Sequence, residues 1–235
     1  MSDGGVRKTY RHRLPVRIMH WINVACLFIL LMSGLQVFNA HPALYWGEIS
    51  NFRAPWLALH GFPGWATIPS YRSLADGRRW HFFFAWLFAI NGLAYLTWSA
   101  LSRHLRRDLW PTKQDWRGMG RSVIEHLRFK HPTGEAATRY NILQRLAYLG
   151  VVLVLGPGIV LMGLAMSPHL DSVLGWLVDL VGGRQSARTI HFLVAMAFVA
   201  FILIHVVMVL VTGPINQIRA MITGRYAIHE EAEHD

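Results

Sequence analysis

Four stretches of the chain are apolar without the two-residue alternation of strands, and each is long enough to cross a membrane. They run over Ile18–Phe38, Trp80–Leu101, Leu146–Met166 and Ile190–Thr212. A helix of about 20 residues rises about 30 Å, the thickness of a hydrocarbon core. The pattern predicts an all-α integral membrane protein, a bundle of four transmembrane helices forming one domain over residues 1–235. In the third run, Gly156-Pro157-Gly158 predicts a kink or a thinning where a neighbour approaches. The fourth run ends at Gly213-Pro214, a stop signal. The first is too long for the apolar core of a signal peptide and reads as an uncleaved span.

The intervening segments add order and orientation. Asn39–Arg79 is a long connection in which Pro42, Pro55, Pro63 and Pro69 argue against a fifth span and predict an ordered lid or docking surface. Apolar residues between Asp171 and Val181 predict a short interfacial helix. Lys and Arg number sixteen over the N-terminal arm, the Ser102–Asn141 loop and the tail, against six on the other two connections. Basic residues stay on the cytoplasmic side. Both termini are therefore predicted to be cytoplasmic, with the Asn39–Arg79 loop outside.

Composition agrees. Charged residues are 15% of the chain and hydrophobic ones 53%, whereas a soluble domain carries about 25% charge. The net charge of +10 reads as juxtamembrane Lys and Arg, so the bilayer is the expected partner and nucleic acid is not. The single Cys26 excludes an intrachain disulfide and a cysteine-ligated cluster.

Thirteen histidines need their own explanation. His191 and His205 stand fourteen residues apart in the fourth run, which puts them within about 40° of one face and about 21 Å apart along the axis. Such a pair suits two metal centres stacked across a membrane, not two ligands of one ion. With the N-terminus inside, His20 shares a depth with His205, and His81 shares one with His191. Gly34 lies fourteen residues after His20 and Gly92 eleven after His81, each on the same face at the opposite level. Ligand at one depth and bare backbone at the other is what a flat porphyrin needs. The other histidines, including His12, His41, His60 and His104, lie outside the runs and are expected to be solvated.

In Arg17-Ile-Met-His20-Trp-Ile-Asn23, Ser33-Gly34-Leu35, Arg79-Trp-His81-Phe and Arg188-Thr-Ile-His191-Phe with His205-Val-Val-Met, the chain resembles the bacterial di-haem cytochrome b561 family. That family includes the b subunits of nickel–iron hydrogenases, formate dehydrogenases and thiosulfate reductases. The resemblance covers about Arg11 to Ile218, and the Asn39–Gly47 stretch is most similar to the thiosulfate reductase type. It implies a bacterial inner-membrane subunit with two b haems, one held by His20 and His205, the other by His81 and His191. It implies electron transfer between an extracytoplasmic oxidoreductase, of molybdopterin type, and the quinone pool. Arg17, Arg79 and Arg188 become candidates for haem propionates. Asn141 and Gln144 become candidates for the quinone pocket, beside the basic loop.

Two other readings stay open. One is a self-sufficient superoxide:quinone oxidoreductase of the same fold. The other is a metal-ion transporter, disfavoured because no Asp or Glu occurs within the four runs.

Overall fold

Burial runs opposite to that of a water-soluble protein. Ser33, Ser99 and Thr189 are fully buried, whereas Phe28, Phe83, Ile90, Leu203 and Ile204 are exposed. Apolar side chains face outward and small polar ones inward when lipid is the solvent. The computed structural model describes residues 6–105, 107, 110–120, 122, 124 and 142–229. Its elements are β1 (Val6–Tyr10), α1 (Leu14–Phe38), β2 (Ala43–Leu44), β3 (Leu57–Ala58), α2 (Leu74–Leu101) and α3 (Lys113–Arg117). There follow α4 (Ile142–Gly150), α5 (Gly156–Ala165), α6 (Asp171–Leu180), α7 (Arg184–Val211), α8 (Pro214–Thr223) and β4 (Arg225–His229). Among the described residues four helices are long and apolar enough to cross a membrane: α1, α2, the composite Ile142–Ala165 and α7. The protein is mostly helical, as expected.

The differences lie at the ends and in the third span. α2 starts at Leu74, six residues before Trp80. Ser73 Oγ accepts from the Asp76 amide at 3.2 Å and donates to Asp76 Oδ2 at 2.9 Å. This Ser-x-x-Asp cap launches the helix ahead of its apolar face. α7 likewise starts at Arg184, where Ser186, Ala187 and Thr189 are buried although the sequence there is not apolar. The third span widens to a π-helix over Val151–Leu155 before α5 begins. Pro157 has no N–H and its ring clashes with the carbonyl of Leu153, so the ladder loosens at that carbonyl.

The fold comprises two compact units, Met1–His20 with Ala94–Val151 and Phe201–Asp235, and Trp21–Leu93 with Val152–Ala200. In the first, β1 pairs antiparallel with β4, Val6 opposite His229 and Tyr10 opposite Arg225. These strands are absent from the helical pattern read in the sequence. Asp115 closes on Arg145 of α4 at 2.8 Å. The amide and side-chain hydroxyl of Thr112, then this guanidinium, hold the Asp115 carboxyl below its ordinary range.

In the second unit the connection after α1 is ordered. β2 pairs with β3, and Asn39 clamps the backbone of Phe62 through both ends of its amide, at 2.6 and 2.9 Å. The Tyr45–Gly47 segment is latched onto the start of α7: Thr189 Oγ1 donates to the Tyr45 carbonyl at 2.6 Å, and the Gly47 amide to Ser186 Oγ at 2.8 Å. Gly183, at φ 121°, lies against Gly47 so closely that a side chain would not fit. α6 is amphipathic as expected, burying Leu177 and Val178 against Met162, Ala165 and Ala187 while Trp176 and Leu180 are exposed.

Candidate functional site

The four intramembrane histidines meet as two couples. In the first unit, His20 of α1 and His205 of α7 have ring centroids 6.3 Å apart at 65°. In the second, His81 of α2 and His191 of α7 are 6.2 Å apart at 67°. A metal–imidazole nitrogen bond is about 2 Å long and the ring centre lies about 1 Å behind the nitrogen, so imidazoles on opposite sides of one metal have centroids about 6 Å apart. Both couples therefore have the separation of two axial ligands. Among the described residues no three His, Cys, Asp or Glu side chains gather as a metal site.

In the second couple the ring edges are also set. His191 Nδ1 lies 2.9 Å from the Ile159 carbonyl, which only accepts, so Nδ1 carries the proton and Nε2 keeps its lone pair. Ser33 donates its hydroxyl to the Ile29 carbonyl at 2.6 Å, leaving Oγ to accept from His81 Nδ1 at 3.2 Å. With its Nδ1 edge taken up by the protein, each histidine keeps the Nε2 lone pair for a metal, as ligating imidazoles do. Two glycines complete it: a side chain at Gly34 would meet His81 Cε1 at 3.3 Å, and one at Gly163 would meet His191 Cε1 at 3.4 Å. Gly92 has no atom within 4 Å of where a side chain would begin.

Residues 11–224 match the family model of prokaryotic cytochrome b561. The chain belongs to that family. The cytochrome is thus a multi-pass membrane protein of electron transfer that takes b-type haem. It is 31% identical to a putative protein-methionine-sulfoxide reductase subunit, YedZ1, of Azospira oryzae, over 83% of this chain and 87% of that protein. It is 27% identical to a probable Ni/Fe-hydrogenase B-type cytochrome subunit of Cupriavidus necator, over 87% of this chain and 80% of the relative. A similarly described subunit from Azotobacter vinelandii is 24% identical over 84% and 78%.

The histidine couples fit haem. Each couple has the separation that two imidazoles holding one haem iron would need, and at His81 and His191 neutral hydrogen-bond partners and a glycine against each ring leave space for a flat macrocycle. Among the described residues no carboxylates gather there to serve a bare cation. The arginines of the cytochrome divide. Arg17 Nε is buried in the first unit with no hydrogen-bond partner in the protein, which suits an anionic propionate. Arg188 donates to the His41 carbonyl and lies over Phe38, 5.5 Å from the ring centre. Arg79 is highly exposed and pairs with Asp76 at 3.0 Å. Of the quinone candidates, Asn141 lies outside the described residues, and Gln144 sits partly buried in the first turn of α4.

Three histidines expected to be solvated are instead partly buried. His41 stacks on Tyr45 and bonds its hydroxyl at 2.9 Å, and His104 lies against Trp98. Burial first, and then the charges of Arg11, His20, Arg17 and His104, push the His12 imidazole down to about 4. His60 is exposed, as expected. The close approach expected at Gly156-Pro157-Gly158 is not found at Gly158, where a side chain would meet nothing within 4 Å; a closer contact falls at Gly163. The sequence places Ser33 in a family motif without giving it a role, and it does not point to Gly163 or the Ile159 carbonyl. The role of Ser33 could have been found, since it directly precedes Gly34; the third span has no histidine to mark Gly163.

Proposed function

We propose that this cytochrome binds two b haems, one between His20 and His205 and one between His81 and His191, and carries electrons between an oxidoreductase partner and the quinone pool. The 6.3 and 6.2 Å couples carry the reading. Haem b between two imidazoles supplies one-electron transfer with no open position for oxygen. The chain orients each ring, excludes water with apolar spans, and offers the Arg17 guanidinium to a propionate.

The excess of Lys and Arg supports cytoplasmic termini, an inner-membrane location and a partner on the far side. The latched Tyr45–Gly47 segment and Glu48, whose Oε2 accepts from the Arg184 amide at 3.1 Å, offer that partner a fixed surface. The relatives named as subunits of a reductase and of hydrogenases support such a partner. We assign it to the molybdopterin class on the likeness of the Asn39–Gly47 stretch. For the quinone, a cavity of about 420 Å³ in the first unit is lined by Ser99, Ala100, Arg103, Leu105 and Trp110. The Ser99 hydroxyl is buried there without a partner in the protein.

A pyridine haemochrome count on the purified chain tests the core of this reading. The wild type should give two b haems per chain, and His205→Ala and His191→Ala one each, while His60→Ala keeps both. A single haem in the wild type, or full haem in either ligand variant, would overturn it.

A further inference from the structure

The amphipathic helix α8 is seated in an unusual sense. Two of its polar residues, Asn216 and Gln217, face the protein. Asn216 brackets Ala227 of β4, donating to its carbonyl at 2.8 Å and accepting from its amide at 3.0 Å, and Gln217 Oε1 accepts from Arg11 at 3.3 Å. Ala220 is fully buried against Tyr226 and Ile228. The apolar residues face away: Ile215 is 82% exposed, Ile218 46% and Ile222 57%. At 100° per residue these three fall within about 60° of arc, so they form one stripe.

A helix in water would turn that stripe inward, because isoleucine gains most from burial. The surroundings name a different solvent. α8 begins three residues after α7 ends, and Gly213, at φ 93°, makes the turn between them. Leu203, Ile204, Val207 and Leu210 on the last turns of α7 are exposed in the same way. The isoleucine stripe continues the apolar surface that a membrane protein gives to lipid. Arg7, Lys8 and Arg225 are exposed on the adjoining ribbon, which suits anionic headgroups.

We infer that α8 lies in the plane of the bilayer surface, with Ile215, Ile218 and Ile222 among the acyl chains and the β1–β4 ribbon on its watery side. The helix then serves as a lipid anchor for the start of α1: the Gly224 carbonyl that follows it accepts from the Arg11 amide at 2.8 Å, and the Arg17 guanidinium packs against Gly224. The inference requires a membrane protein and is independent of the haem ligands.

The test is nitroxide labelling of Ile215→Cys, Ile218→Cys, Ile222→Cys and Arg225→Cys in the full chain, in nanodiscs of phosphatidylethanolamine and phosphatidylglycerol. Native Cys26 is fully buried, and the unsubstituted protein taken through the same labelling is the blank. The ratio of collisions with oxygen to collisions with a water-soluble nickel chelate should be several-fold higher at the three isoleucine sites than at Arg225. An equal ratio at all four sites would overturn the inference by placing the stripe in water. Exclusion of both reagents from the isoleucine sites would overturn it by placing the stripe against protein. Should the half-buried Ile218 site disturb folding, Ile215 and Ile222 decide.

Discussion

Ser33 and His12 show how much one side chain's surroundings decide. Ser33 is fully buried, spends its proton on a backbone carbonyl and so becomes an acceptor for His81. A hydrogen bond from Nδ1 raises the basicity of a ligating imidazole and lowers the potential of its iron. Ser33→Ala should therefore raise the midpoint potential of the haem proposed between His81 and His191 in a redox titration, with little loss of haem. His12 gives the pH dependence. Its imidazole titrates at about 4 in the folded chain against 6.5 as a free group, so between these values the unfolded chain binds more protons. Stability should fall as pH drops through that window and be unaffected above it. Thermal unfolding of wild type and His12→Asn at pH 7 and pH 5 checks this; the loss on acidification should be smaller in the variant.

At the scale of elements, the apolar runs located the spans but not where each helix begins. α2 starts at a Ser73–Asp76 cap and α7 at residues buried by the Tyr45–Gly47 segment, and neither boundary is an apolar signal. The latch has a measurable weight. Thr189→Val keeps the volume but removes the donor from a buried carbonyl, which costs about 1–3 kcal/mol. A lower thermal midpoint with unchanged haem content is the expected result. The strands β1 and β4 were illegible because each is short and neither alternates. They exist through each other, and through Asn216, which holds β4 against α8.

For the whole molecule, charge asymmetry makes a prediction that helix geometry does not. With sixteen basic residues on one side, an impermeant maleimide should label Arg53→Cys in intact cells and Arg225→Cys only after lysis. Both positions are exposed, so equal labelling before lysis would reverse or abolish the assigned orientation.

The sequence by itself determined the four spans, the basic asymmetry and the spacing of the four histidines along three of the spans, because length, charge and helical period are local properties. It also determined the family, since the motifs around His20, His81, His191 and His205 are contiguous. Only the tertiary structure decided which groups complete the couples: the Ile159 carbonyl and Gly163 come from a span with no histidine, and Ser33 acts through a hydroxyl whose direction is set by its own helix. It likewise turned α8 with its isoleucines outward. Period alone says that a helix has two faces; which one meets the protein depends on what the rest of the chain brings against it.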